Sequence, residues 1–298
     1  MTASATHLAA RFLRYGGWLC FAALLGCASP QAGPALDADL NETVIDIPVL
    51  VKGRPTGGSM VGTLYKPAGE GPFPFAIINH GRASSAVARA VGPRWRYVEQ
   101  SRWLVRKGFV VIVPTRRGYG GTGGIDVEAS WSCESPWYAD ALSAGVESVL
   151  SAIEYAKAQT FVDPARLVLI GQSVGGFVTV GVTAAAPAGL RAAVNFAGGH
   201  GGNPQAHPGA PCSPHRLLQV YAEAGRTGRA PMLWIYTEND RFFGPDFARA
   251  WHQGYTAAGG HAELHVLPPF RHDGHAMFVS GMPLWQPLVE AFFAKHGL

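Results

Sequence analysis

The chain has 298 residues, 48% of them hydrophobic and only 15% charged, a composition that excludes a disordered protein and sizes it for one α/β domain rather than two. Its formal net charge of +4 includes Arg11 and Arg14 of an N-terminal leader. Without that leader the balance is about +2, and nothing in it suggests a nucleic-acid surface.

Residues 1–27 pair the basic Arg11 and Arg14 with an apolar run from Tyr15 to Leu25, too short for a comfortable membrane span, and read as a secretory signal. Its end, Leu24-Leu25-Gly26-Cys27, is similar to the bacterial lipobox, in which the cysteine is lipidated and becomes the first mature residue. That reading puts the chain in the periplasm or on the outer membrane, attached through Cys27. Leu25 is larger than the residue usual at its position, and ordinary cleavage between Ala28 and Ala35, giving a secreted protein, is the competing reading. Residues 28–41, rich in Pro, Ala, Gly and Asp, read as a flexible linker, and 42–298 as a single domain.

Residues 44–52 and 60–66 predict an antiparallel strand pair around Gly57-Gly58. Six short apolar runs follow: Phe75–Asn79, Phe109–Val113, Leu167–Ile170, Ala192–Phe196, Met232–Tyr236 and Glu263–Leu267. Helical stretches separate them. The clearest helix follows Ser135-Pro136, places Leu142, Val146, Val149, Leu150 and Ile153 on one face, and stops before Asp163-Pro164. Another begins near Gln286-Pro287 and carries Leu288, Val289, Phe292 and Phe293. Strands alternating with helices require a mainly parallel sheet covered on both faces.

Cys133 and Cys212 are the two cysteines outside the leader, each in loop-like sequence just before a predicted helix. In an oxidising compartment they suffice for one disulfide, tying two connections on one side of the sheet; two free thiols are the alternative.

The segment Leu167–Gly176 holds Ser173 between glycines, after a β-branched run and before a helix, the strand–turn–helix context of a nucleophile elbow. A serine that merely caps the helix would look the same, so partners elsewhere decide. Functional groups of parallel sheets collect at the carboxyl ends of strands. There the sequence offers Asp240 in Thr237-Glu238-Asn239-Asp240, and His272 and His275 in Arg271-His272-Asp273-Gly274-His275. A serine hydroxyl needs an imidazole to take its proton and a carboxylate to orient that imidazole. Asp240 is preferred because it follows its strand by a few residues, whereas Glu238 is nearer the strand and Asp246 begins a helix. His275 is preferred over His272 because Gly274 allows an unusual loop conformation and Ala276-Met277-Phe278 anchors the loop on the core. The oxyanion requires preorganised N–H donors, expected from Val174 and Arg82, with Gly81 opening the turn and His80 packing beneath.

These residues resemble the dienelactone hydrolase-like branch of the α/β-hydrolase superfamily over roughly residues 60–298. The resemblance rests on Asn79-His80-Gly81, Arg117-Gly118-Tyr119-Gly120, Gly171-Gln172-Ser173-Val174-Gly175-Gly176, Asn239-Asp240 and Asp273-Gly274-His275. It implies an α/β-hydrolase fold with about eight mostly parallel strands, and hydrolysis of a small-molecule ester or related acyl bond with no metal or organic cofactor. Dienelactone hydrolase itself uses a cysteine nucleophile, so Ser173 points to a serine carboxylesterase instead. A peptidase, an acyltransferase on the same triad and a catalytically silent envelope binding protein are the alternatives. The glycine-rich Arg116–Gly124 lacks the ending of a phosphate-binding loop and reads as a loop beside the cleft. Arg82, Arg116, Arg241 and Arg271 read as solvated loop arginines in preference to an anionic-substrate site. Trp131, Trp137 and Tyr138 wall an acyl pocket or simply pack beside Cys133.

Overall fold

The structure, a computed structural model, describes residues 35–298. The leader, the lipobox cysteine Cys27 and residues 28–34 of the expected linker lie outside the described residues, while Ala38–Leu40 of that linker form a short helical turn with Leu40 buried.

The hairpin β1 (Thr43–Val51) and β2 (Arg54–Tyr65) turns at Lys52-Gly53, both left-handed with φ 50° and 73°. Two positive-φ residues match the right-handed twist of the flanking strands, which is why so short a loop suffices. The turn is therefore not at Gly57-Gly58, as the sequence suggested. Those glycines lie inside β2, where the register shifts opposite Pro48 and Leu50, and the positive φ of Gly57 serves a bulge.

The six apolar runs become β3 (Phe73–Asn79), β4 (Val110–Pro114), β5 (Val162–Gln172), β6 (Leu190–Phe196), β7 (Met232–Thr237) and β8 (Ala262–Leu267). They form one eight-stranded sheet in the order β1-β2-β4-β3-β5-β6-β7-β8, antiparallel only through β1 and β2. Alternate residues feed two cores. Phe75, Ile77, Leu167, Leu169 and Trp234 pack with α3 (Tyr138–Lys157), α4 (Val174–Ala185), α5 (Pro214–Gly225) and α6 (Pro245–Ala257). Ala76, Ile78, Val168, Ile170 and Ile235 face α2 (Val98–Arg106), α7 (Met277–Ser280) and α8 (Met282–Lys295). Strands buried on both faces explain the continuous apolar runs. A short exposed helix, α1 (Ala86–Val91), sits in the β3–α2 connection.

Two helix starts differ from expectation. Helix α3 begins at Tyr138, beyond Ser135-Pro136, and α8 begins at Met282-Pro283, leaving Pro287 inside the helix. The periodic apolar residues lie in both helices as read; only the start signal was misplaced by a turn or less. Cys133 and Cys212 are bonded, closing a separation of 79 residues and joining the chain ahead of α3 to the chain ahead of α5.

The order reverses at β3, so the carboxyl ends of β3 and β5 lie side by side and frame the crevice where such sheets do their chemistry. A cleft of about 530 Å³ lined by Asn41, Ile45, Lys66, Tyr155 and Phe161 lies at the opposite, amino end of these strands.

Candidate active site

Strand β5 runs into Gln172, and Ser173 follows at φ 58° and ψ −126° before α4 begins. A non-glycine residue held there costs about 1–3 kcal/mol and persists only where the surroundings fix it. They do so here: Ser173 N–H donates to the Phe196 carbonyl at 2.9 Å, and its carbonyl accepts from Phe177 and Gly199 at 3.0 and 3.2 Å. Ser173 makes no side-chain cap bond to α4, so the helix-capping role is not what holds it. The neighbouring glycines are needed for space. A Cβ on Gly171 would fall on the Gly175 carbonyl, one on Gly175 on the Asn79 carbonyl, and one on Gly176 on Asn195 Oδ1.

The loop after β3 meets this turn, with Gly81 so close that a Cβ would come 3.2 Å from Ser173 Cβ. Its anchor is His80, fully buried and stacked on Trp95 at 4.8 Å. The Arg116 N–H can only donate, so His80 Nε2 must accept it (3.0 Å), and the proton on Nδ1 goes to the Gly81 carbonyl (2.7 Å). His80 is therefore neutral, and burial followed by the nearby Arg116 charge holds its pKa well below the ordinary value. The N–H groups of Arg82 and Val174 form no hydrogen bond among the described residues, which leaves both available to a ligand oxygen beside Ser173.

Asp240 follows β7 and is buried, its Oδ1 accepting from Phe242 N–H at 2.8 Å and Phe243 N–H at 3.0 Å. His275 Nδ1 lies 3.1 and 3.0 Å from its two oxygens. A carboxylate only accepts, so Nδ1 carries the hydrogen and Nε2 is left as the acceptor. The Phe242 ring stacks on the imidazole at 4.1 Å. His272, by contrast, is exposed. Gly274 is required for room and not for conformation, because Thr237 Oγ1 occupies the place of a Cβ.

Asn239 and Asp273, singled out above only as parts of the family motifs, clasp these two loops reciprocally. Asn239 Oδ1 accepts from Phe270 N–H (2.9 Å), and its Nδ2 donates to the carbonyls of Phe270 and Arg271. Asp273 Oδ1 accepts from Arg241 N–H (3.1 Å) and His275 N–H (3.0 Å). Their position beside the candidate acid and base was the only signal of this role.

The loop arginines are not uniformly solvated. Arg116 is wholly buried and pairs with Glu128 at 2.6 Å, and Tyr119 donates to the same carboxylate at 2.7 Å. Burial alone would raise the Glu128 carboxyl, but Arg116 outweighs it and the pKa is lowered. Arg82 pairs with Asp126, which also takes Arg89 at 3.0 Å. Two of the four arginines are thus already neutralised by carboxylates, which removes much of the case for an anionic substrate. Trp131 and Trp137 are exposed. Tyr138 is buried and donates to the Cys212 carbonyl at 2.5 Å, so it packs against the disulfide.

An eight-stranded sheet of this order, with a strained serine after β5 and later-strand acid and imidazole in contact, defines an α/β-hydrolase. The sequence matches the dienelactone hydrolase family over residues 87–283, and the chain belongs to that family. No curated protein matches it. Among solved structures, a Klebsiella pneumoniae protein provisionally described as a dienelactone hydrolase superposes with a TM-score of 0.57 at 19% identity, covering 85% of this chain and 99% of that one. The Pyrococcus furiosus esterase Pf2001 gives 0.57 at 15% identity, over 89% and 95% of the two chains. An acylaminoacyl peptidase from Pyrococcus horikoshii gives 0.61 at 14% identity, covering 86% of this chain but 41% of its own. At these identities the likeness is one of fold, and with the family match it makes the chain a hydrolase.

Proposed function

We propose that the chain is an exported serine carboxylesterase acting through Ser173, His275 and Asp240. The observation that carries this reading is the buried Asp240 carboxylate against His275 Nδ1 at 3.0 Å, beside a serine held in a strained turn. Ser173 Oγ attacks the acyl carbonyl carbon while His275 Nε2 takes its proton. The Val174 and Arg82 N–H groups hold the oxyanion. The tetrahedral adduct then collapses, His275 returns the proton to the departing alkoxide, and the acyl-enzyme forms. Water repeats the attack with His275 as base and releases the acid. The Ser173 hydroxyl forms no hydrogen bond among the described residues; the reaction requires it to donate to His275 Nε2 when the substrate is bound.

A fluorophosphonate should label the protein once, on the peptide containing Ser173, and His272→Ala should turn over p-nitrophenyl acetate normally while His275→Ala is inactive. Label on another residue, or an active His275→Ala enzyme, contradicts the assignment.

Export is supported by the leader-like residues 1–27 and by the disulfide, which persists in oxidising compartments. In a bacterial host the full chain is expected in the membrane fraction, and Cys27→Ala in the soluble fraction. Equal distribution of the two would exclude lipid attachment.

A further inference from the structure

We propose that Gln172 and Tyr97 are positioning residues forming a strut that fixes the oxyanion loop, the nucleophile turn and the histidine loop relative to one another. The proposal rests on the catalytic roles given above. Tyr97 Oη donates to Gln172 Oε1 at 3.2 Å, and Gln172 Nε2 donates to the His275 carbonyl at 3.2 Å. The polarity is forced: the carbonyl of His275 only accepts, so the amide nitrogen faces it and the amide oxygen faces the phenol. Toward the oxyanion loop the Tyr97 ring packs on Trp95, which stacks in turn on His80 at 4.8 Å. Groups aligned in one direction strengthen one another. The line runs from the phenol through the Gln172 side chain to the His275 carbonyl.

Tyr97 is held for this placement at some cost. Its φ is 45° and ψ 52°, a left-handed conformation that a side-chain-bearing residue rarely adopts. Its ring is stacked on Trp95 at 5.6 Å and meets the edge of Phe278 at 5.3 Å. Phe278 lies three residues beyond His275, so the aromatic contact reinforces the same link. Gln172 occupies the variable position of the Gly-x-Ser-x-Gly turn, so a residue with no part in the chemistry carries the geometry.

Tyr97→Phe removes one oxygen and keeps the ring; Gln172→Leu removes both amide contacts at similar volume. Each is expected to lower kcat on p-nitrophenyl acetate by about 10- to 100-fold with KM little changed, since misplacement of about 1 Å costs on the order of 100-fold. Inhibition constants for a boronic-acid transition-state analogue should rise in proportion to the loss of kcat/KM, which a purely structural role would not produce. The double variant should be no worse than the poorer single, because either change breaks the strut. Losses that multiply, analogue affinity that stays constant, or single variants within threefold of the parent overturn the proposal. Gln172→Glu, which keeps the acceptor but sets an oxygen against the His275 carbonyl, provides the test if Gln172→Leu does not fold, and should also be slow. Ser173→Ala is measured alongside: if it is as active as the parent, the catalytic reading fails and takes the strut with it, whereas an inactive Ser173→Ala with fast Tyr97→Phe and Gln172→Leu removes the strut alone.

Discussion

Ser173→Ala is expected to lower kcat on p-nitrophenyl esters by about 10⁴- to 10⁶-fold while leaving substrate affinity nearly unchanged. The oxyanion donors and the binding surface survive the substitution, so a small residual rate over water should remain. Stability gives a second readout of the same turn. The backbone at φ 58° and ψ −126° strains alanine as much as serine but not glycine. Ser173→Gly should therefore be more stable than Ser173→Ala by about 1 kcal/mol, after allowing for the extra freedom glycine gives the unfolded chain. Urea unfolding of the two inactive variants measures the difference directly. A glycine variant no more stable than the alanine variant would mean that the turn stores no strain.

Mild acid should destabilise the fold before most carboxylates titrate. His200 is buried; its Nε2 faces the Glu128 carbonyl at 2.9 Å and must carry the hydrogen, while its Nδ1 has no partner among the described residues. Burial, followed by the Arg82 charge, pushes its pKa down to about 4, against an ordinary 6.5. His80 is lowered in the same way. Both are neutral in the native state, whereas in the unfolded chain both bind a proton below about pH 6.5. Unfolding in acid therefore takes up two protons. Their contribution is present above the ordinary histidine range and is lost as pH falls below about 6.5, by about 1.5 kcal/mol between pH 6.5 and 5 for His200, with His80 adding to the loss in the same direction. That is a sizeable part of the 5–15 kcal/mol typical of a folded domain. Glu128 and Asp126, whose pKa values are lowered by their arginines despite burial, add a further loss only below the ordinary carboxylate range. Urea midpoints at pH 7.5, 6 and 5 test this. His200→Gln, which keeps a donor but does not titrate, should remove one of the two protons from the slope, and a flat stability between pH 7 and 5 would contradict the neutral-histidine assignment.

What the sequence makes legible follows from how local each signal is. The runs around Ile77, Ile112, Leu169 and Ile235 declare buried parallel strands, because a strand covered on both faces must be apolar throughout. Ser173, Asp240 and His275 are readable because each lies in the turn or loop that follows a strand, at the one end of the sheet where groups can converge. The hairpin turn was misplaced because Gly57-Gly58 is a stronger turn signal than Lys52-Gly53, and only cross-strand register distinguishes a bulge from a turn. Arg116 gave no sign of burial: its carboxylate lies 12 residues away in an irregular segment. The Tyr97–Gln172–His275 line was equally hidden, spanning separations of 75 and 103 residues with no periodicity to announce it.

The crowding at Gly171, Gly175 and Gly176 bears on how such a protein can change over time. With the sites of their side chains filled by the carbonyls of Gly175 and Asn79 and by Asn195 Oδ1, the nucleophile turn has no neutral neighbours in sequence space. A new substrate preference must then arise from the connections around the turn, above all those after β3 and β4, where Val87, Ile125 and Trp131 face solvent and tolerate replacement. Selection for altered specificity from a random library would leave the turn untouched and gather its substitutions in those connections.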